Sequence, residues 1–167
     1  MARVKNSFEI LGLEPRFAVK PEELERLQRE HFAAQSSGKR VTLEAVNEAY
    51  RRLKDPVARA ELLFTLRNWP AKAPLDPALL ESVFTERETI DAARKRCDSA
   101  FLSDWVSAAR KRQDALVAEL GVILDETVTS DHPPVKALEL LDQLRYLTKA
   151  LHAAQSALDA VEALEGG

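Results

Sequence analysis

From about Pro133 to Leu164 the chain carries a heptad. Ala137, Leu144, Leu151 and Leu158 recur every seven residues, and Leu140, Leu147, Ala154 and Val161 form a second row beside them. Such a period predicts a helix roughly 45 Å long at about 1.5 Å per residue, with a narrow apolar seam that must be covered. Two shorter versions precede it. Asp76-Pro77 opens a helix expected to run to about Cys97, with Val83, Ile90 and Cys97 in line beside Leu79 and Ala93. A second helix, expected from about Ser103 to Leu124, aligns Leu102, Ala109, Leu116 and Ile123 beside Val106 and Leu120. The stretch Thr127-Val128-Thr129-Ser130-Asp131-His132-Pro133 separates it from the last helix. Three helices with narrow seams and short connections predict an antiparallel bundle with small crossing angles. Cys97, placed in a seam, is expected to be a buried small hydrophobe.

Composition extends this reading to the whole chain. Only 5 of 167 residues are Gly, Ala, Leu, Glu and Arg dominate, and runs of β-branched residues are almost absent, so the fold class is all-α. Neither GxGxxG nor GxxxxGK[ST] occurs, which leaves nucleotide binding by those loops without support. The single cysteine excludes an internal disulfide framework and a cysteine-cluster zinc site. His31, His132 and His152 lie on three different elements, and no HExxH or nucleophile elbow appears. The expectation is therefore no enzyme, no metal and no cofactor. A net charge of −3 argues against nucleic acid as a partner. No apolar run approaches the roughly 20 residues that span a bilayer. Asn6, Glu9 and Glu14 interrupt any signal-peptide core, so a cytoplasmic location is expected.

The charge is unevenly spread. Residues 1–70 hold 13 basic and 10 acidic residues, a net of +3, and residues 71–167 hold 11 and 17, a net of −6. Between them runs Asn68-Trp69-Pro70-Ala71-Lys72-Ala73-Pro74, a stiff, non-helical connector. Two domains, 1–70 and 71–167, are expected. The asymmetry is read either as chance or as two domains that meet different partners.

In the first half, Asn6 or Ser7 can cap a short helix through Phe8, Ile10 and Leu11, which Gly12 ends. Pro21 starts a second helix, with Glu22 and Glu23 at its positive end and Leu24, Leu27 and His31 facing inward beside Phe32. Residues 33–41 read as a loop. Thr42 caps a third helix whose apolar face is Leu43, Val46, Tyr50 and Leu53, with Asn47 on the same side. Asp55-Pro56 then opens a fourth helix through Ala60, Leu62, Leu63 and Leu66.

That order of helices resembles a J-domain. The residues that carry the resemblance are Phe8-Glu9-Ile10-Leu11-Gly12-Leu13, Asn47 to Pro56 (NEAYRRLKDP) and Arg59-Ala60-Glu61-Leu62-Leu63. The last piece looks like the Arg-Ala-Glu-Tyr-Leu-Leu stretch of the HscB-type co-chaperones of iron–sulfur cluster assembly. Leu144-Arg145-Tyr146-Leu147-Thr148-Lys149-Ala150-Leu151 is similar to a segment of that family's C-terminal three-helix domain. The resemblance covers nearly the whole chain. It implies a J-domain-like domain followed by a three-helix bundle, and a DnaK-type chaperone and an iron–sulfur scaffold protein as partners.

The chain departs from the family at one motif. J-domains stimulate the chaperone ATPase through His-Pro-Asp at the end of the second helix. Aligned on Leu27-Gln28-Arg29, that tripeptide falls on Phe32-Ala33-Ala34, and no Pro-Asp follows His31 in any register. Ala33 cannot stop a helix as Pro does, and Ala34 offers no carboxylate to a basic partner. The family's basic chaperone-docking face is also diluted: Arg26 and Arg29 are mixed with Glu22, Glu23, Glu25 and Glu30. Arg26, Arg29, His31, Phe32, Ala33 and Ala34 are thus a degenerate version of the chaperone-binding surface. His31 is also read as a core-edge histidine.

Leu80, Phe84 and Glu88 form one ridge of the first bundle helix beside its seam, and Tyr146 falls between the seam positions Leu144 and Leu147. These off-seam rings form either an exposed patch that binds a partner or a surface covered within the chain. The resemblance favours the first, because the family binds its scaffold with apolar and acidic residues of this helix and an aromatic of the last. It implies Leu80, Phe84, Glu88 and Tyr146 as scaffold-binding residues. Glu81 stands where the family tends to be apolar, and Thr85 and Ala92 stand where acids are usual. Two further readings are an adaptor or inhibitor that pairs with a true J-protein, and a homodimer in which a second copy covers the long heptad.

Overall fold

The computed structural model describes residues 5–34, 41–72, 74, 76–127 and 129–166. Among them are seven helices and no strand: α1 (Ser7–Leu11), α2 (Pro21–Ala34), α3 (Leu43–Lys54), α4 (Pro56–Leu66), α5 (Pro77–Lys95), α6 (Ser99–Glu126) and α7 (Val135–Glu165). The all-α class expected from composition is the one observed, with a J-domain-like unit and an antiparallel three-helix bundle. Residues up to Ala71 group with Gly121–Pro133, and Lys72–Leu120 with Pro134 onward.

Local chemistry sets the helix ends in the first unit. The Asn6 side chain accepts from Phe8 N and Glu9 N, while Glu9 reaches back to Asn6 N, a reciprocal capping box. Gly12 ends α1 in the left-handed region at φ 76°, where Leu13 N donates to Phe8 O at 2.9 Å. Thr42 caps α3, and Asp55 caps α4 with Pro56 in its first turn. Asn68 ends α4 at φ 56°, with Asn68 N bonded to Thr65 O and Trp69 N to Phe64 O. The apolar contact that often accompanies this turn is present, because Trp69 meets Phe64 edge-to-face with centroids 5.4 Å apart.

The core of this unit is aromatic and carries charge. Phe8, Phe17, Leu24, Val46, Leu53, Leu63, Phe64 and Leu124 are buried. Arg59 is buried among them, its guanidinium 4.7 Å from the Phe17 ring centroid and its Nη1 donating to Leu53 O. Arg67 lies 4.8 Å over Trp69. Burial pushes both guanidinium groups below the usual arginine range, opposed by Asp125 at both and by Asp55 at Arg59. The Asp125 carboxylate accepts from Phe17 N at 2.8 Å and Ala18 N at 2.9 Å. Trp69 Nε1 donates to Ser130 O at 3.1 Å. Gly121 passes so near Phe17 that a Cβ there would lie 3.1 Å from the ring.

The second unit is the bundle. Ile90 and Ala93 of α5, Leu102 and Val106 of α6, and Ala154, Ala157, Leu158 and Val161 of α7 form one buried cluster. Pairs along the helices give the direction: Ser99 meets Glu165, Arg110 meets Gln155, Gln113 meets Thr148 and Glu119 meets Lys136, so α6 and α7 are antiparallel. Both rows of the last heptad are buried, except that Leu151 is half-buried.

Several expectations are corrected. Cys97 is exposed rather than seated in a seam. α5 ends at Lys95, and Cys97 takes φ 53°, with Cys97 N bonded to Arg94 O and Asp98 N to Ala93 O. The chain has therefore left the helix before the heptad can turn Cys97 inward. α6 starts at Ser99 rather than near Ser103, because the Asp98 side chain accepts from Phe101 N at 3.0 Å. At its other end Leu124 is fully buried and Ile123 only half-buried, since from Gly121 onward α6 packs in the first unit on a shifted face. Residues 33 and 34 belong to α2, which no proline stops. Phe32 and Leu43, expected to face inward, are 38% and 46% exposed. Within the expected loop and breaks, residues 35–40, 73 and 128 lie outside the described residues.

Candidate partner-binding site

Asp76 builds the start of α5 by accepting from Ala78 N at 3.0 Å, with Pro77 in the first turn. From there the i, i+4 spacing sets Leu80, Phe84 and Glu88 on one ridge. Leu80 is half-buried, Glu88 is exposed, and Phe84 is 65% exposed. The threonine hydroxyls beside and beyond Phe84 bond back to the helix's own carbonyls: Thr85 Oγ1 donates to Glu81 O at 3.0 Å and Thr89 Oγ1 to Thr85 O at 2.8 Å. Glu86 is held by Arg112 of α6 at 2.8 Å. The ridge thus lies on a helix that is tied to α6 through Glu86.

Tyr146 is half-buried on α7 and lines a cavity of about 450 Å³. Its other walls include Val83, Arg87, Ile90, Asp91 and Arg94 of α5 and Lys149, Ala150 and Ala157 of α7. Leu80, Phe84 and Glu88 are not among its walls. Tyr146 therefore joins the ridge next to theirs, the one that carries Val83 and Arg87. Sequence reasoning did not single out the cations of this cavity. Their signal was available: Arg87 and Arg94 are seven residues apart, hence on one face, and Lys149 follows Tyr146 by three.

The residues expected to form a degenerate chaperone-binding surface lie on α2. Arg26 is paired with Glu30 at 2.7 Å, and Arg29 Nε bonds to its own helix at Glu25 O. Gln28 Nε2 donates to Asn47 Oδ1 at 2.8 Å, fastening α2 to α3. His31 is half-buried, and Phe32 and Ala33 are exposed in the last turn, with Ala34 half-buried. The two arginines are thus bonded within α2, and the tripeptide position is helical and uncharged. Among the described residues no cluster of His, Cys, Asp or Glu could hold a metal ion, and no helix is long and apolar enough to cross a membrane.

Residues 75–155 match the family model described as the HSCB C-terminal oligomerisation domain. A co-chaperone protein HscB homolog of Bordetella pertussis is 32% identical over 131 residues, covering 68% of this chain and 76% of that protein. One from Burkholderia multivorans is 26% identical over 179 residues, covering 97% and 99%. Among solved structures, the chaperone HscB from Vibrio cholerae aligns with a TM-score of 0.71 over 94% of this chain and 99% of that one. At 22% identity this is a likeness of fold. With the sequence identity to the Bordetella protein, these matches assign the chain to a family: it belongs to the HscB co-chaperones.

Proposed function

We propose that this protein is a co-chaperone that binds an iron–sulfur scaffold protein through its bundle and presents it to a DnaK-type chaperone. Leu80, Phe84 and Glu88 of α5 and Tyr146 of α7 are the contacts in this reading. The observation that carries it is Phe84. A phenyl ring 65% exposed on a helix inside the family-matched segment is an apolar contact left for another molecule. Calorimetric titration with the scaffold from the same organism tests it. Binding in the micromolar range, about −8 kcal/mol, is expected. Phe84→Ala should weaken it by about tenfold or more, as truncation of a buried aromatic anchor does. Unchanged affinity in a Phe84→Ala, Tyr146→Ala double variant overturns the site.

One observation favours a second reading. α2 runs through Ala34 without a proline stop, and its exposed end carries Phe32 and Ala33 in place of the charged tripeptide. A J-like domain altered in this way would restrain a true J-protein or dock without stimulating ATP hydrolysis. Added to an active chaperone and J-protein pair, the chain then lowers turnover. A rise in turnover with this chain as the sole co-chaperone overturns that reading.

A further inference from the structure

The groove between α5 and α7 holds three cations with no carboxylate assigned to them. Arg87 and Arg94 stand two turns apart on α5, about 10 Å along the axis, and Lys149 faces the same space from α7. Among the described residues none of the three side chains makes an ion pair or a hydrogen bond, whereas four other cations of the bundle do: Arg112 with Glu86, Lys136 with Glu119, Arg145 with Asp142, Arg96 with Asp98. This is not for want of acids, because residues 71–167 carry a net of −6. Asp91 is the carboxylate in the groove wall. The floor is apolar, with Ile90 and Ala157 buried and Ala150 half-buried. Ala153 and Ser156 leave one wall low.

We infer that this groove receives an acidic, apolar-flanked segment of the partner protein. The inference rests on the scaffold-binding reading and deepens it: the partner presents Phe84 with an apolar surface and the groove with carboxylates. Charge complementarity selects the occupant. Three cations along a trough offer successive carboxylates an ion pair each, while the floor takes the apolar side chains between them. The span along two helices suits a length of chain better than a single small anion, which needs cations that converge. The groove is also continuous with the proposed contact, since Tyr146 lines it and Val83 precedes Phe84.

The test uses the full chain and the scaffold protein, titrated at about 50 mM and about 300 mM salt, on either side of effective screening. Wild type should lose affinity as salt rises. Arg87→Glu, Arg94→Glu, Lys149→Glu should bind about tenfold more weakly at low salt, and its affinity should no longer fall with salt. Phe84→Ala should weaken binding but keep the salt dependence. Scaffold binding that the triple reversal leaves unchanged, in strength and in salt response, overturns the groove while leaving the scaffold reading intact. A wild-type chain that does not bind the scaffold overturns that reading instead. The groove is then judged with a fluorescein-labelled helical peptide of Leu and Glu against its Gln counterpart. Preference for the acidic peptide, lost in the triple variant, supports the groove; equal binding or none overturns it. Citrate binding without peptide preference assigns the site to a small anion and also overturns it. The milder Arg87→Gln, Arg94→Gln, Lys149→Gln variant repeats each arm if the reversal disturbs folding.

Discussion

In the first unit, Arg59 lies over Phe17 and Arg67 over Trp69, and Asp125 bonds two backbone amides 107 and 108 residues away in sequence. In the second, the interior is Leu, Ala, Ile and Val drawn from repeating positions on three helices. The bundle solves its packing with periodicity: once a seven-residue repeat is written, each turn finds its neighbours by the same rule. The first unit gathers short elements that share no repeat. It relies on single contacts of large area or strong directionality, such as rings, a clasping carboxylate and an indole N–H. Damage should therefore be concentrated in the first unit and distributed in the second.

The largest expected effect tests that contrast directly. Trp69→Ala removes the edge-to-face contact with Phe64, the stacking of Arg67 and the bond to Ser130 O, and should cost about 3–5 kcal/mol. Leu144→Ala, at a fully buried heptad position, should cost about 2–4 kcal/mol. Urea unfolding followed by far-ultraviolet circular dichroism measures both. A bundle variant that proves the more damaging would break the contrast. Asp125→Ala comes next. It strips Phe17 N and Ala18 N of their acceptor and removes a carboxylate that favours the charged forms of Arg59 and Arg67, so about 1–3 kcal/mol is expected from the same unfolding curves. The smallest effect has the opposite sign. Cys97 occupies the left-handed region that favours Gly, so Cys97→Gly should raise the urea midpoint by the equivalent of about 1 kcal/mol. A lowered midpoint would mean that the Cys97 side chain has a role its exposure does not suggest.

Most helix starts could be read from sequence because the signals are local: Asn6, Thr42, Asp55-Pro56 and Asp76-Pro77 all act within three residues of themselves. The stop at Gly12 was equally plain. The stop at Cys97 was not, because nothing in a cysteine announces a left-handed turn and the heptad pattern runs straight across it. Gly121 and Leu124 were hidden for a different reason. Gly121 lies against Phe17 and both residues group with the first unit, which is distant in sequence, and periodicity within one helix carries no information about that. In the candidate site, spacing alone put Phe84 outside the seam, and its ring is exposed. The cations of the groove escaped notice because a charge looks the same in sequence whether it has a partner or lacks one.

The clasp at Asp125 bears on how the gene can be cut. Phe17 N, Ala18 N and Trp69 Nε1 find their acceptors in residues encoded some fifty codons beyond the connector. The J-like half is therefore not a cassette that recombination could lift out at Pro70 and graft elsewhere. An exchange there would strand the two amides and the indole without Asp125 and Ser130. Inheritance of this half is tied to the end of α6, and any lineage that shuffles it must carry residues 121–133 along.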